Sequence, residues 1–155
     1  MKLAVKKVSE EGTRSFGEWV LPAVVESLKL LDYLVSINLR PTYETSATVL
    51  NRAAAHGSVK TFRLLLQSGA SMRHPGVLAL HTAAASHEED RISVMEYLLD
   101  ELGVDLEGLD GTDSESTPVN RHDIYGKPLH YAIGNSQWVT VNWLVRCGAD
   151  LATKN

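Results

Sequence analysis

Six histidines and a single cysteine are the side chains of this 155-residue chain best suited to nucleophilic, acid–base or metal chemistry. His81 and His130 share the context Leu-His-x-Ala and invite a metal reading, yet no Cys-x-x-Cys or His-Glu-x-x-His supplies further ligands. Cys147 can form neither an internal disulfide nor a cysteine cluster, and a packed thiol is expected there rather than a nucleophile. No Gly-x-Ser-x-Gly elbow and no phosphate-binding Gly-Lys-Ser/Thr loop occurs. Asp105, Glu107, Asp110, Asp113 and Glu115 offer oxygen ligands, but no register combines alternate ligands, a sixth-position glycine and a twelfth-position glutamate. Thr117-Pro118 could accept a proline-directed phosphate. The expectation is no catalytic residue, no metal and no cofactor.

The elements that hold these side chains belong to a globular protein, with 44% hydrophobic and 22% charged residues. The longest apolar run, Trp19 to Val25, is seven residues with Pro22 inside it, against the ~20 a membrane helix needs. MKLAVKK at the start lacks a secretory apolar stretch, so a cytoplasmic location is expected, with the nucleus also open. Residues 88 to 115 carry eleven acidic side chains against Arg91 alone, a local net of −10 within an overall −4. Such a band repels phosphate backbones and steers cationic partners, so nucleic acid is not the expected partner.

Internal repetition organises the chain. Thr48-Val-Leu-Asn-Arg-Ala-Ala-Ala-His-Gly57, Leu78-Ala-Leu-His-Thr-Ala-Ala-Ala-Ser-His87 and Lys127-Pro-Leu-His-Tyr-Ala-Ile-Gly-Asn-Ser136 superimpose, each opening a short helix. A second amphipathic segment follows each, closed by Gly69, Gly103 and Gly148. Phe62/Leu65/Leu66, Val94/Tyr97/Leu98 and Val141/Leu144/Val145 fall at i, i+3, i+4, giving each second helix one apolar stripe. One pair cannot bury its stripe alone, and the small residues Ala53/Ala54, Ala83/Ala84 and Ala132 let neighbours approach closely. Leu50, Phe62, Leu65, Leu66, Leu80, Leu98, Leu129, Leu144 and Val145 are the expected core.

The pattern resembles the ankyrin-repeat family, whose marks are a Thr-Pro-Leu-His opening, an Ala-Ala pair and a Leu-Leu-x-x-Gly-Ala close. Asp123-Ile-Tyr-Gly-Lys-Pro-Leu-His130 and Cys-Gly-Ala-Asp150 are its nearest counterparts. Val49 and Asn51 stand where Pro and His are usual, and His87 replaces a glycine. The resemblance implies an all-α ankyrin-repeat solenoid of stacked helix-turn-helix pairs with short β-hairpin or turn connections. It also implies that His81 and His130 knit adjacent turns by hydrogen bonds.

One domain over 1–155 is expected: a capping helix and degenerate repeat over 1–41, repeats over 42–76, 77–106 and 123–155, and an acidic insertion over 107–122. Leu30 to Asn38 aligns with Thr61 to Gly69, placing Asn38 where a left-handed residue closes the helix. Leu50 to Leu80 is 30 residues and Leu80 to Leu129 is 49, the surplus lying mainly in the insertion, with Leu102 adding one residue and three more near Glu88-Glu-Asp90. The insertion has few large apolar residues and reads as an exposed loop. Replacing Gly108 to Asn120 by a short turn should then change stability by about 1 kcal/mol or less.

The resemblance implies a non-catalytic module that binds another protein through the concave face made by the turns and first helices. The candidate contacts are Tyr43, Arg52, His56, His74, Thr82, Ser86, Tyr125, Tyr131 and Asn135. A basic partner would suit the acidic band, and a monomer or weak end-to-end dimer is expected. Two other readings stand beside it: a small-molecule site or enzyme using His56, His74 and His122, and a fragment of a longer array.

Overall fold

In a computed structural model of the chain, residues 27–110 and 126–151 are described. Helices pair in sequence: α1 (Leu28–Ser36), α2 (Ser46–His56), α3 (Val59–Gln67), α4 (Ala79–Ala85), α5 (Arg91–Glu96), α6 (Pro128–Gly134) and α7 (Trp138–Arg146). Among the described residues there is no strand, so the fold is all-α with turns as connectors. Over 71–77 the reason is local. Val77 N–H donates to His74 O at 3.0 Å and Arg73 N–H to Ser71 Oγ at 3.2 Å, so these backbone donors are used inside the turn rather than in a ladder.

The chain forms two compact units, one comprising the residues up to Ala53 with Gly57–Val77, the other Ala54–His56 with Leu78 onward. In the first, α1 packs on α3, and Leu31, Val49, Leu50, Phe62 and Leu65 lose all solvent contact. In the second, α6 lies along α4 and α7 touches α5 and α6, with Leu80, Met95, Leu98, Leu129 and Leu144 fully buried. Ala53, Ala83, Ala84 and Ala132 are also fully buried, as close helix approach requires.

Helix ends follow from the sequence. Ser58 caps α3, its hydroxyl accepting from Thr61 N–H at 3.2 Å. Asn38 takes the left-handed conformation (φ 71°) that Gly69 (116°) and Gly148 (97°) adopt, as its alignment with Gly69 predicts. In all three places the next residue closes a wide turn: Leu39, Ala70 and Ala149 donate to the carbonyls of Leu34, Leu65 and Leu144 at 2.9, 3.0 and 3.0 Å. The extra residue at Leu102 is absorbed as one π-helical turn, Tyr97–Glu101, in which Leu102 N–H reaches back five residues to Tyr97 O at 3.2 Å.

Three burial expectations are corrected. Leu66 is only half-buried and Val145 is 43% exposed, because the expected i, i+4 stripe is wider than the strip each helix buries, centred on Leu65 and Leu144. Cys147 is exposed rather than packed, lying at the end of α7. The leading residues 1–26 and the insertion residues 111–125, with Thr117-Pro118, lie outside the described residues.

Candidate functional site

In the first unit, the turns bring Tyr43 and His74 together, with ring centroids 5.0 Å apart and planes tilted by 51°. The His74 imidazole is fixed because its Nδ1 accepts from Gly76 N–H at 3.0 Å. Tyr43 remains 50% exposed, and Arg52 is exposed on α2. One residue before Arg52, Asn51 occupies the usual histidine position and does a histidine's work, its Nδ2 donating to Gly76 O at 2.8 Å.

In the second unit, His81 is the centre of a polar network. Its Nε2 lies 3.0 Å from both Gly108 O and Gly126 O, and since carbonyls only accept, Nε2 carries the proton. Burial pushes its pKa below the usual histidine value, partly offset by the two carbonyls and Asp110. The His81 and Tyr131 rings form a T-shaped pair, 5.2 Å between centroids. The Tyr131 phenol donates to one oxygen of Asp110, whose other oxygen accepts from Gly126 N–H at 2.7 Å. Burial, then this carboxylate, pushes the Tyr131 pKa up to about 12.

The start of the insertion is therefore part of the structure. Glu107 pairs with the Lys127 ammonium and accepts from Asp150 N–H at 2.9 Å, and the lysine holds its carboxyl below the usual range. Asp110 was visible in the sequence only as one of several acids, because nothing in the spacing links it to Gly126 or Tyr131.

The remaining candidates divide by how their polar groups are used. Asn135 is exposed at the end of α6, its Nδ2 donating to Tyr131 O at 2.8 Å. His56 is exposed beside Glu88, 3.5 Å away. Thr82 is half-buried and turns its hydroxyl back to Leu78 O and Ala79 O at 3.1 and 3.0 Å. Ser86 is corrected as a surface contact: it is buried, and its hydroxyl donates to Ala55 O at 2.6 Å. Arg91 works beside it, its guanidinium donating to Ala54 O at 3.0 Å, and burial lowers its pKa. Both satisfy carbonyls in the last turn of α2, which a helix end leaves without partners. Tyr125 and His122 lie outside the described residues.

Among the described residues, no three His, Cys, Asp or Glu side chains gather where they could hold a metal ion. Slight desolvation at the end of α7 and the nearby Asp100 and Glu96 raise the pKa of the exposed Cys147, which favours the thiol over the nucleophilic thiolate. No helix of the described residues is long and apolar enough to cross a membrane.

A family model described as ankyrin repeats, in three copies, matches residues 22–110, more than half of the chain. The chain belongs to the ankyrin-repeat family. The match takes in α1 to the π-helical turn, so the ankyrin repeats begin before residue 42, in the segment where the motif is most degraded. The α6–α7 pair follows the matched residues and repeats the α4–α5 arrangement, with Leu129 and Leu80 both fully buried. Comparison with curated proteins and with solved structures gives no match. Ankyrin repeats are in general protein–protein interaction modules, a property of the family and not of a named partner.

Proposed function

We propose that this chain is a non-catalytic recognition module that binds a partner protein through its opening helices and turns. The observation that carries this reading is the Tyr43–His74 pair: an aromatic ring half open to solvent on an imidazole that the backbone holds in place. A fixed aromatic gives contact area with little ordering cost. Arg52 in the same unit, and His56 and Asn135 in the other, add exposed polar groups. The acidic band over 88–115 favours a basic partner and faster association at low salt, and a cytoplasmic setting suits the composition. The test is capture of partners from a matched lysate by wild type, Tyr43→Ala and Arg52→Glu. Loss of one partner from both variants, with melting temperature held within about 2 °C, supports the reading; equal recovery of every partner refutes it.

A further inference from the structure

The turn residues of the first unit present hydrogen-bond donors. His74 Nδ1 accepts from Gly76 N–H at 3.0 Å, so the ring proton sits on Nε2. Among the described residues nothing accepts that proton, and the hydroxyl of the half-exposed Tyr43 beside it has no partner there either. Arg73, one residue before His74 in the same turn, is exposed. Arg52 is exposed on α2, and its neighbour Asn51 reaches this turn through the 2.8 Å bond to Gly76 O.

The charge of the two units divides in the same sense. The described residues of the first unit carry six lysines and arginines, all exposed, against Asp32 and Glu44, a net of +4. Those of the second unit carry ten acidic residues against three basic ones, a net of −7. The acidic band therefore belongs to the second unit, and the Tyr43–His74 pair stands in a unit of the opposite sign.

We infer that the surface around Tyr43 and His74 takes an acidic peptide segment of the partner protein, whose carboxylates accept from Arg73, Arg52 and His74 Nε2 while its chain lies on the Tyr43 ring. This rests on the proposed contact role of that surface and names what it contacts; a basic region of the same partner would meet the band of the second unit. Carboxylates only accept, which suits a set of donors, and a guanidinium matches one with two parallel N–H bonds. The −7 of the second unit favours a peptide over a nucleic acid. A phosphate backbone carries charge continuously and is opposed along its length, whereas an acidic peptide segment can be short and flanked by neutral or basic residues.

The test titrates the whole protein into fluorescein-labelled octaglutamate at about 10 mM salt, where the screening length is ~30 Å, and reads anisotropy. Lys60→Glu is the control: it makes the same change of charge at an exposed position on α3. The expected result is binding that Arg73→Glu weakens about fivefold or more and Lys60→Glu less than about twofold. Both variants should melt within about 2 °C of wild type, since both side chains are exposed. No binding, or equal weakening by Lys60→Glu, overturns the inference, the second because it leaves only a general positive field. Tighter, Arg73-dependent binding of labelled octathymidylate also overturns it, by assigning the donors to nucleic acid. Loss of a lysate partner from Tyr43→Ala and Arg52→Glu, with octaglutamate unbound, leaves the recognition reading standing and removes this one.

Discussion

The phenol of Tyr131 is bound to the carboxylate of Asp110 across 21 residues of chain, and this contact fastens α6 to the start of the acidic insertion. A hydrogen bond to a charged acceptor contributes about 1.5–3 kcal/mol. Tyr131→Phe should lower stability by that order, so this tyrosine is a structural anchor. The pKa of about 12 sets the sign of the pH dependence. The phenol's contribution is full below the ordinary tyrosine value near 10 and is lost as pH rises towards 12. Chemical denaturation of wild type and Tyr131→Phe at pH 8 and pH 11.5 should show the gap narrowing at the higher pH.

His81 gives the opposite slope. Its pKa is lowered in the folded state, so its contribution is intact above the unfolded value near 6.5 and is lost as pH falls towards the lowered value. His81→Asn keeps an N–H donor at the position, as Asn51 does naturally, without titrating there. Melting curves at pH 7 and pH 5 should show a smaller acid-induced drop for His81→Asn than for wild type.

Removing the insertion from Gly108 onward should destabilise the protein well beyond the ~1 kcal/mol expected from loop closure alone. The deletion takes away Gly108 O, one acceptor of His81, and both bonds of Asp110. Asp110→Ala alone should account for a large part of the loss, on the order of 1.5–3 kcal/mol. Urea denaturation of the deletion and the point variant checks both.

Gly57→Ala should be destabilising although Gly57 has an ordinary negative φ of −88°. A Cβ there would sit 2.8 Å from the backbone oxygen of Ala53, which cannot move without disturbing the end of α2. The expected cost is roughly 1–3 kcal/mol. The same substitution at Gly134, where a Cβ meets nothing within 4 Å, should be neutral or mildly stabilising in a parallel thermal melt.

Leu65→Ala should cost roughly 2–5 kcal/mol because the leucine is fully buried, whereas Val145→Ala should change stability by about 0.5 kcal/mol or less. Equal effects in denaturation would contradict the burial pattern.

The helix pairs, their glycine closures and their family were legible from the sequence because they are local. Leu65 and Leu144 stand four residues before Gly69 and Gly148, Leu98 stands five before Gly103 because Leu102 is extra, and Asn38 is read as a left-handed residue from its alignment alone. The candidate site was legible only as residue types. Tyr43, Arg52, His56 and Asn135 are exposed as a contact surface requires, but Ser86 and Tyr131 are engaged within the fold.

What a repeat's sequence cannot encode is which of its polar groups a distant segment will reach. Asp110 meets Tyr131, Arg91 meets Ala54 O, and Ser86 meets Ala55 O through spacings that no periodic rule relates. The same limit applies to His81 and His130, which stand in equivalent local sequence. One has two carbonyl acceptors and the other has none among the described residues, because hydrogen-bond satisfaction depends on what packs against a residue and not on its immediate neighbours in the chain. The pattern therefore established the repeat and its core, and packing in three dimensions assigned each buried polar group its partner or left it without one.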